Sequence, residues 1–157
     1  MPPPLLLDLD AIALDDVVCT KAQIYEHLPH RHEFMLLDGM CYVDRDRHCG
    51  VAVRDIRVDD WWFRGHFPDR PVVPGVLLLE MAAQASAMLA RLTAGYDGFL
   101  GFGGVENCKF RERVVAPSRL LILGQGREFR GRRIICDCQG VCSGRLVFEA
   151  RVIGLKM

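Results

Sequence analysis

The sequence predicts an α+β fold, a curved antiparallel sheet of about six strands wrapped round one long central apolar helix. Two observations carry that expectation. The segment Gly75–Leu92 is apolar nearly all the way round, and between Gly75 and Ala90 its only ionisable residue is Glu80. A helix apolar on every face has to be wrapped, not merely laid on a surface. The last third of the chain then falls into β-rich runs separated by tight-turn signals, which is the material for the wrapping. Length and composition agree: 157 residues, half of them hydrophobic and a quarter charged, describe one folded domain.

Residues 1–20 read as an N-terminal extension, and 21–157 as a single domain. The start, Met1-Pro-Pro-Pro-Leu-Leu-Leu-Asp, lacks a positive leading segment and acids soon interrupt its apolar run. It therefore reads as neither signal peptide nor membrane span. Residues 21–28 suit a short helix that stops at Pro29. Met35–Val43 and Gly50–Val58 are strand-like, separated by the charged turn Asp44-Arg-Asp-Arg. A loop rich in aromatics and prolines follows, from Asp59 to Pro74. The long helix is built of Leu, Met, Ala and Gln and has Gly95 as its C-terminal stop. Phe99–Phe110, Arg119–Phe129, Arg133–Val141 and Leu146–Leu155 are expected as a meander, with turns at Arg130-Gly131 and Ser143-Gly144. Gly101, Gly103 and Gly104 inside a strand suggest a bulge or a close approach. Six strands curved round one buried helix make an α+β hotdog.

Composition narrows the function classes. A net charge of zero points to neither nucleic acid nor an anionic membrane. Charge is uneven, however: residues 1–80 hold 8 Lys/Arg against 14 Asp/Glu, and residues 81–157 hold 12 against 6. Arg111, Arg113, Arg127, Arg130, Arg132 and Arg133 are either a basic face for an acidic partner or solvated edge charges. Seven cysteines without a CxxC pair suit reduced thiols in the cytoplasm. Cys136 and Cys138, with Cys142 nearby, read as small buried hydrophobes rather than metal ligands. His27, His30 and His32 cluster, but no carboxylate or cysteine neighbour makes a convincing metal site and Pro29 breaks helical ligand spacing; His30 and Arg31 are read as capping or bracing their loop. Trp61, Trp62 and Phe63 are read as packing beside a subunit interface rather than meeting substrate.

The chemistry concentrates round the helix. Burial should raise the pKa of Glu80, and Gln84, four residues on, can hydrogen-bond it. The plainer alternative has Glu80 reaching a surface or pairing with an arginine. His66 lies in the preceding loop, Gly65-His-Phe-Pro-Asp-Arg-Pro-Val-Val-Pro-Gly, which Pro68, Pro71 and Pro74 stiffen as a held catalytic base requires. Gly65, Phe67, Pro68 and Pro74 are its supporting residues. Gly75 and Val76 open the helix, where amides without intrahelical partners and the helix dipole favour an oxyanion. Base, protonated acid and oxyanion site are together what β-elimination of water needs.

Three stretches carry a resemblance. Leu28-Pro-His-Arg-His-Glu-Phe-Met-Leu-Leu-Asp38, Gly65-His-Phe-Pro with Pro71-Val-Val-Pro-Gly-Val-Leu-Leu-Leu-Glu-Met-Ala-Ala-Gln84, and Lys109-Phe-Arg-Glu-Arg-Val-Val-Ala-Pro117 resemble the FabZ-type 3-hydroxyacyl-[acyl-carrier-protein] dehydratases. The likeness runs over about residues 21–155, and its combined GHFP and PGVLxxE pattern is highly specific. It implies dehydration of (3R)-3-hydroxyacyl thioesters to trans-2-enoyl thioesters in fatty-acid or related lipid synthesis. It makes His66 the base and Glu80 the acid, with Gln84 sharing the handling of water and the Gly75 and Val76 amides holding the thioester carbonyl. It implies an acyl-carrier-protein or coenzyme A thioester as substrate and no metal or organic cofactor. It also implies sites shared between two subunits of a dimer or a trimer of dimers. Glu80, where the related dehydratase–isomerase branch has Asp, favours dehydration without isomerisation. Departures at His32, Gly39, Ala116–Arg119 and Gly101 bear on tunnel shape, acyl length and carrier. A hotdog thioesterase and a non-catalytic acyl-binding subunit of a lipid or polyketide synthase are the alternatives.

Overall fold

Seven antiparallel strands form one sheet in the computed structural model, which describes residues 1–157. They are β1 (Cys19–Thr20), β2 (Gly39–Asp44), β3 (Cys49–Ile56), β4 (Leu100–Phe110), β5 (Ser118–Arg130), β6 (Arg133–Cys142) and β7 (Arg145–Lys156). Their spatial order is β1-β2-β3-β5-β6-β7-β4. Two α-helices complete the set, α1 (Lys21–His27) and α2 (Gly75–Ala94).

The sheet departs from expectation in two respects. The strand beyond the expected six is β1, two residues at the end of the segment read as an extension, paired with β2 through Cys19↔Met40. The meander holds for β5-β6-β7, but β4 does not lie beside β5. It crosses to the far edge and pairs with β7, while β5 pairs with β3 along eight consecutive residues. Burial explains the order. Strands β3 and β5 are apolar on both faces and belong in the sheet interior, whereas the Gly-rich, half-polar β4 can tolerate an edge.

The inner face of the sheet closes on α2. Met81, Met88, Leu89, Leu120, Ile122, Cys136, Cys138 and Phe148 are fully buried there; each large side chain so buried contributes about 1.5–3 kcal/mol. The approach is close enough to need glycines. A Cβ on Gly50 would stand 2.9 Å from Leu89 Cδ2, and one on Gly124 2.5 Å from Leu89 Cδ1. By length and composition α2 could cross a bilayer, yet eleven of its residues are buried inside this fold. It ends where expected: Gly95 takes the left-handed conformation, φ 66°, and its N–H bonds back to Arg91 O at 3.2 Å. α1 starts on a capping box in which Thr20 and Gln23 bond each other's backbone amides.

The outer face is covered as well. Cys41, Cys49, Val51, Val53, Leu121, Leu123 and Val141 point outward and form a second core with Leu7, flanked by Leu6, Leu9, Ile12 and Leu14. The Gln139 side-chain amide clasps this N-terminal segment, accepting from Leu6 N–H at 2.7 Å and donating to Pro4 O at 3.1 Å. The glycines of β4 mark a bulge: register slips between Phe102 and Gly104, and a Cβ on Gly103 would meet Leu155 Cγ at 2.8 Å.

Candidate active site

The loop that carries His66 is anchored from beneath. Arg54, on β3, is buried; its guanidinium pairs with Asp60, donates to Leu36 O and lies 5.2 Å over the Trp62 ring. Asp60 accepts from Arg57 N–H at 2.8 Å, which closes the turn into the 3₁₀ segment Trp61–Arg64. The His66 N–H then donates to Trp62 O at 2.8 Å, and His66 O accepts from Val72 N–H at 3.0 Å. Phe67 stacks on the imidazole with ring centroids 4.1 Å apart, and reciprocal bonds between Phe67 and Arg70 hold Pro68 in a tight turn. Gly65 closes the 3₁₀ segment, but a side chain there would meet nothing within 4 Å, so no steric need for glycine exists. Trp62 and Phe63 are buried in the core, and Trp61 is exposed.

The tautomer of His66 follows from one contact. Its Nδ1 is 2.8 Å from Val72 O, and a carbonyl can only accept. Nδ1 therefore carries the hydrogen and Nε2 keeps a free lone pair, the state a general base requires. The ring lines a groove of about 610 Å³ with Pro74, Gly75, Val76 and Phe110. Pro74 caps α2 without a side-chain bond, and its carbonyl takes the N–H groups of Leu77 and Leu78. The Gly75 and Val76 amides have no backbone acceptor, so the His66 ring and helix-terminal donors share one groove. A Cβ on Gly75 would stand 2.9 Å from Phe110 Cζ, so a side chain there would push the exposed Phe110 ring aside.

Glu80 and Gln84 open into a different cavity of about 210 Å³, walled by Pro29, His30, Gly101 and Phe102 among others. One chain alone does not bring Glu80 to His66. Glu80 Oε1 accepts from Gln84 Nε2 at 3.0 Å and meets His30 Nε2 at 3.2 Å. Gln84 is locked in turn. Its Nε2 also donates to Phe34 O at 2.9 Å and its Oε1 accepts the Tyr25 hydroxyl at 2.6 Å, which itself accepts from Leu37 N–H at 2.8 Å. Burial pushes the Tyr25 hydroxyl well above its ordinary pKa, so it stays a donor.

The expectation of a raised Glu80 pKa is corrected. Burial does push the carboxyl up, but the His30 and Gln84 hydrogen bonds and the His30 charge outweigh it, and the group ends below its ordinary value. The partner of Glu80 is thus a histidine, neither solvent alone nor an arginine. Sequence reasoning gave His30 a bracing role and left Tyr25 aside; a histidine followed by Arg31 after a helix-stopping Pro29 was the only local sign of the first.

The remaining candidates divide. Cys136 and Cys138 are buried against α2, with Cys138 Sγ 3.3 Å from Ser86 Oγ, and burial pushes both thiols up. Three of the six arginines are neutralised: Arg111 by Glu149, Arg127 by Asp137 and Arg133 by Glu128. Arg113 makes no ion pair and lines the His66 groove beside Arg111.

Comparison with known proteins identifies the family. Residues 28–151 match the model of the FabA-like domain. The 3-hydroxyacyl-[acyl-carrier-protein] dehydratase FabZ of Listeria monocytogenes is 33% identical over 132 residues, 83% of this chain and 91% of that protein. The FabZ of Agrobacterium fabrum is 35% identical over 131 residues, 83% and 84% of the two chains. Among solved structures, the dehydratase heterocomplex ApeI:P from Xenorhabdus doucetiae superposes with a TM-score of 0.70 at 18% identity, covering 85% of this chain and 90% of that one. The E. coli PaaI protein from the phenylacetic acid degradation operon gives 0.60 at 16%, covering 74% and 81%. These structural likenesses establish the hotdog fold, and the sequence matches establish the family: the chain belongs to the FabZ-type 3-hydroxyacyl-[acyl-carrier-protein] dehydratases.

Proposed function

We propose that this protein removes water from (3R)-3-hydroxyacyl thioesters on acyl carrier protein, giving trans-2-enoyl thioesters for fatty-acid or related lipid synthesis. The observation that carries the reading is His66, its Nδ1 committed to Val72 O and its Nε2 free in a groove with two unpartnered helix amides. Nε2 takes a proton from C2, and the Gly75 and Val76 amides stabilise the charge that develops on the thioester oxygen. The C2–H electrons form the C2–C3 double bond as the C3–O bond breaks. Glu80, steadied by Gln84, supplies the proton with which the hydroxyl departs as water. Every step uses side chains and amides, so no cofactor enters.

Separate cavities for His66 and Glu80 in one chain support a site completed by a second copy, in a dimer or a trimer of dimers. The β4 edge offers a junction: it has no partner on its outer side and exposes Phe102, Val105 and Phe110. Arg113, which makes no ion pair beside the His66 groove, favours an acidic carrier protein over free coenzyme A. Seven free thiols, five of them buried, suit the cytoplasm.

The test is incubation of purified protein with 3-hydroxyacyl and saturated acyl thioesters of graded length, on both carriers, followed by absorbance of the conjugated enoyl product and by thiol release. Enoyl product is expected from the 3-hydroxyacyl carrier-protein substrates, and His66→Ala should lower kcat by about 10²–10⁴-fold. Thiol release without enoyl product would establish the thioesterase alternative instead; binding without turnover would establish the acyl-binding one.

A further inference from the structure

Glu80 meets two conflicting demands. The reaction just proposed, on which this inference rests, needs a proton on its carboxyl, while its contacts favour the carboxylate. Its neighbours show where a proton can be kept. Gln84 cannot hold one, because its oxygen is occupied by the Tyr25 hydroxyl and its nitrogen by Phe34 O and Glu80. The other walls of the cavity are apolar or backbone: Ala83 and Ala87 from α2, Leu100 to Phe102 from β4, Ile134 from β6 and Val152 to Gly154 from β7. Tyr25 stands edge-on to the His30 ring at 6.5 Å with its hydroxyl already engaged. Arg31 turns its guanidinium to the carbonyls of His30 and Leu28. Within one chain His30 is therefore the only titratable group facing Glu80; the His66 that the proposed second copy brings to the site is the base that takes the C2 proton.

His30 is also unusual in itself. Nε2 meets Glu80 Oε1 at 3.2 Å, and about a quarter of each side chain is exposed, so water reaches the contact at which Nε2 takes up a proton. Nδ1 is buried and has no hydrogen-bond partner. The ring therefore keeps Nδ1–H unmatched whether or not it is charged, and the proton that moves is the one on Nε2; with no second partner to share its charge, an imidazolium is a poor resting state once water is excluded.

We propose that His30 and Glu80 act as one acid, in which His30 is loaded with a proton from water and passes it to Glu80 when an acyl chain fills the cavity. A neutral carboxylic acid–imidazole pair costs less than an ion pair in a dry, apolar enclosure. Glu80 then gives that proton to the departing hydroxyl. The protons balance over a turnover: substrate C2 loses one to His66, the pair loses one to the hydroxyl, and water leaves. His66 returns its proton to solvent while His30 takes one up. His30 touches Glu80 and not the substrate, so it is a positioning and proton-holding residue.

The test uses His30→Gln, which keeps a donor near Glu80 but cannot carry a proton, and Glu80→Gln. In the full-length protein, the five histidines are followed by NMR through a pH titration, and the His30 signal is the one missing from His30→Gln. The His30 midpoint should fall in Glu80→Gln. In the dehydration assay, His30→Gln should keep KM within about twofold, lose about tenfold or more in kcat at neutral pH, and shift the basic limb of its kcat profile to lower pH. Such a shift separates a proton-holding role from a bracing one. An unmoved His30 midpoint overturns the pair whether or not the protein is active. An unchanged pH profile in His30→Gln, with the fold intact by circular dichroism, also overturns it. Coupled titration in a wild-type protein that forms no enoyl product would instead reject the dehydratase reading, and the acid role with it.

Discussion

Asp137, on β6, shows how a partly exposed acid responds to pH in this fold. Burial pushes its carboxyl up, but hydrogen bonds from Arg151 and Arg127, both at 2.7 Å, and their charges bring it below its ordinary value. A carboxyl depressed in the folded state adds stability above its unfolded pKa, and that stability is lost as pH falls through the folded value. Asp137→Asn is expected to cost about 1 kcal/mol at neutral pH, since both arginines are substantially exposed. Urea unfolding at neutral and acidic pH checks this, and the difference between variant and wild type should shrink in acid. The same sign applies to Glu80, where the sequence reading went astray: it counted burial and had no means of counting His30, which lies fifty residues away. His66 and Glu80 were legible because each stands out against its own segment, one among prolines and the other alone in an apolar helix. Tyr25 and His30 do not stand out, and their roles come only from where the chain returns in space.

At the scale of elements, the periodic segments were legible and their neighbours were not. The bounds of α2 and of β4 to β7 fall within a few residues of those expected from apolar runs, Gly95 and the Gly-containing turns. Spacing along the chain could not show that β4 would leave the meander, because pairing order depends on which strands bury two faces. Nor could it show why Gly50 and Gly124 are glycine. Both admit Leu89, which has no room to move away from either. Gly124→Ala is therefore expected to lower stability by about 1–3 kcal/mol, read as a lower urea midpoint with an unchanged slope. A midpoint within error of wild type would mean that α2 can lift from the sheet.

At the scale of the whole molecule, the proposed site divides into a His66 half and a Glu80 half that line separate cavities in one chain. The proposed second copy predicts complementation. His66→Ala and Glu80→Gln should each be nearly inactive alone. Mixed in equal amounts under conditions that exchange subunits, they should regain roughly a quarter of wild-type sites, because half the dimers are mixed and each of those has one intact site. No recovery, with exchange verified by mass spectrometry, would count against a shared site. The N-terminal segment was read from sequence as an extension, and nothing in its acid-dotted composition announced its packing on the outer face of the sheet. Its first residues share a cavity with Arg111 and Glu112, which also wall the His66 groove, and the Gln139 amide clasps it. Releasing it would uncover Val51, Val53, Leu121 and Leu123 side by side on two adjacent strands, an oily patch that invites clumping. A nick near residue 10 is therefore expected to hasten the protein's loss from solution, read as turbidity of the cut protein against the intact one.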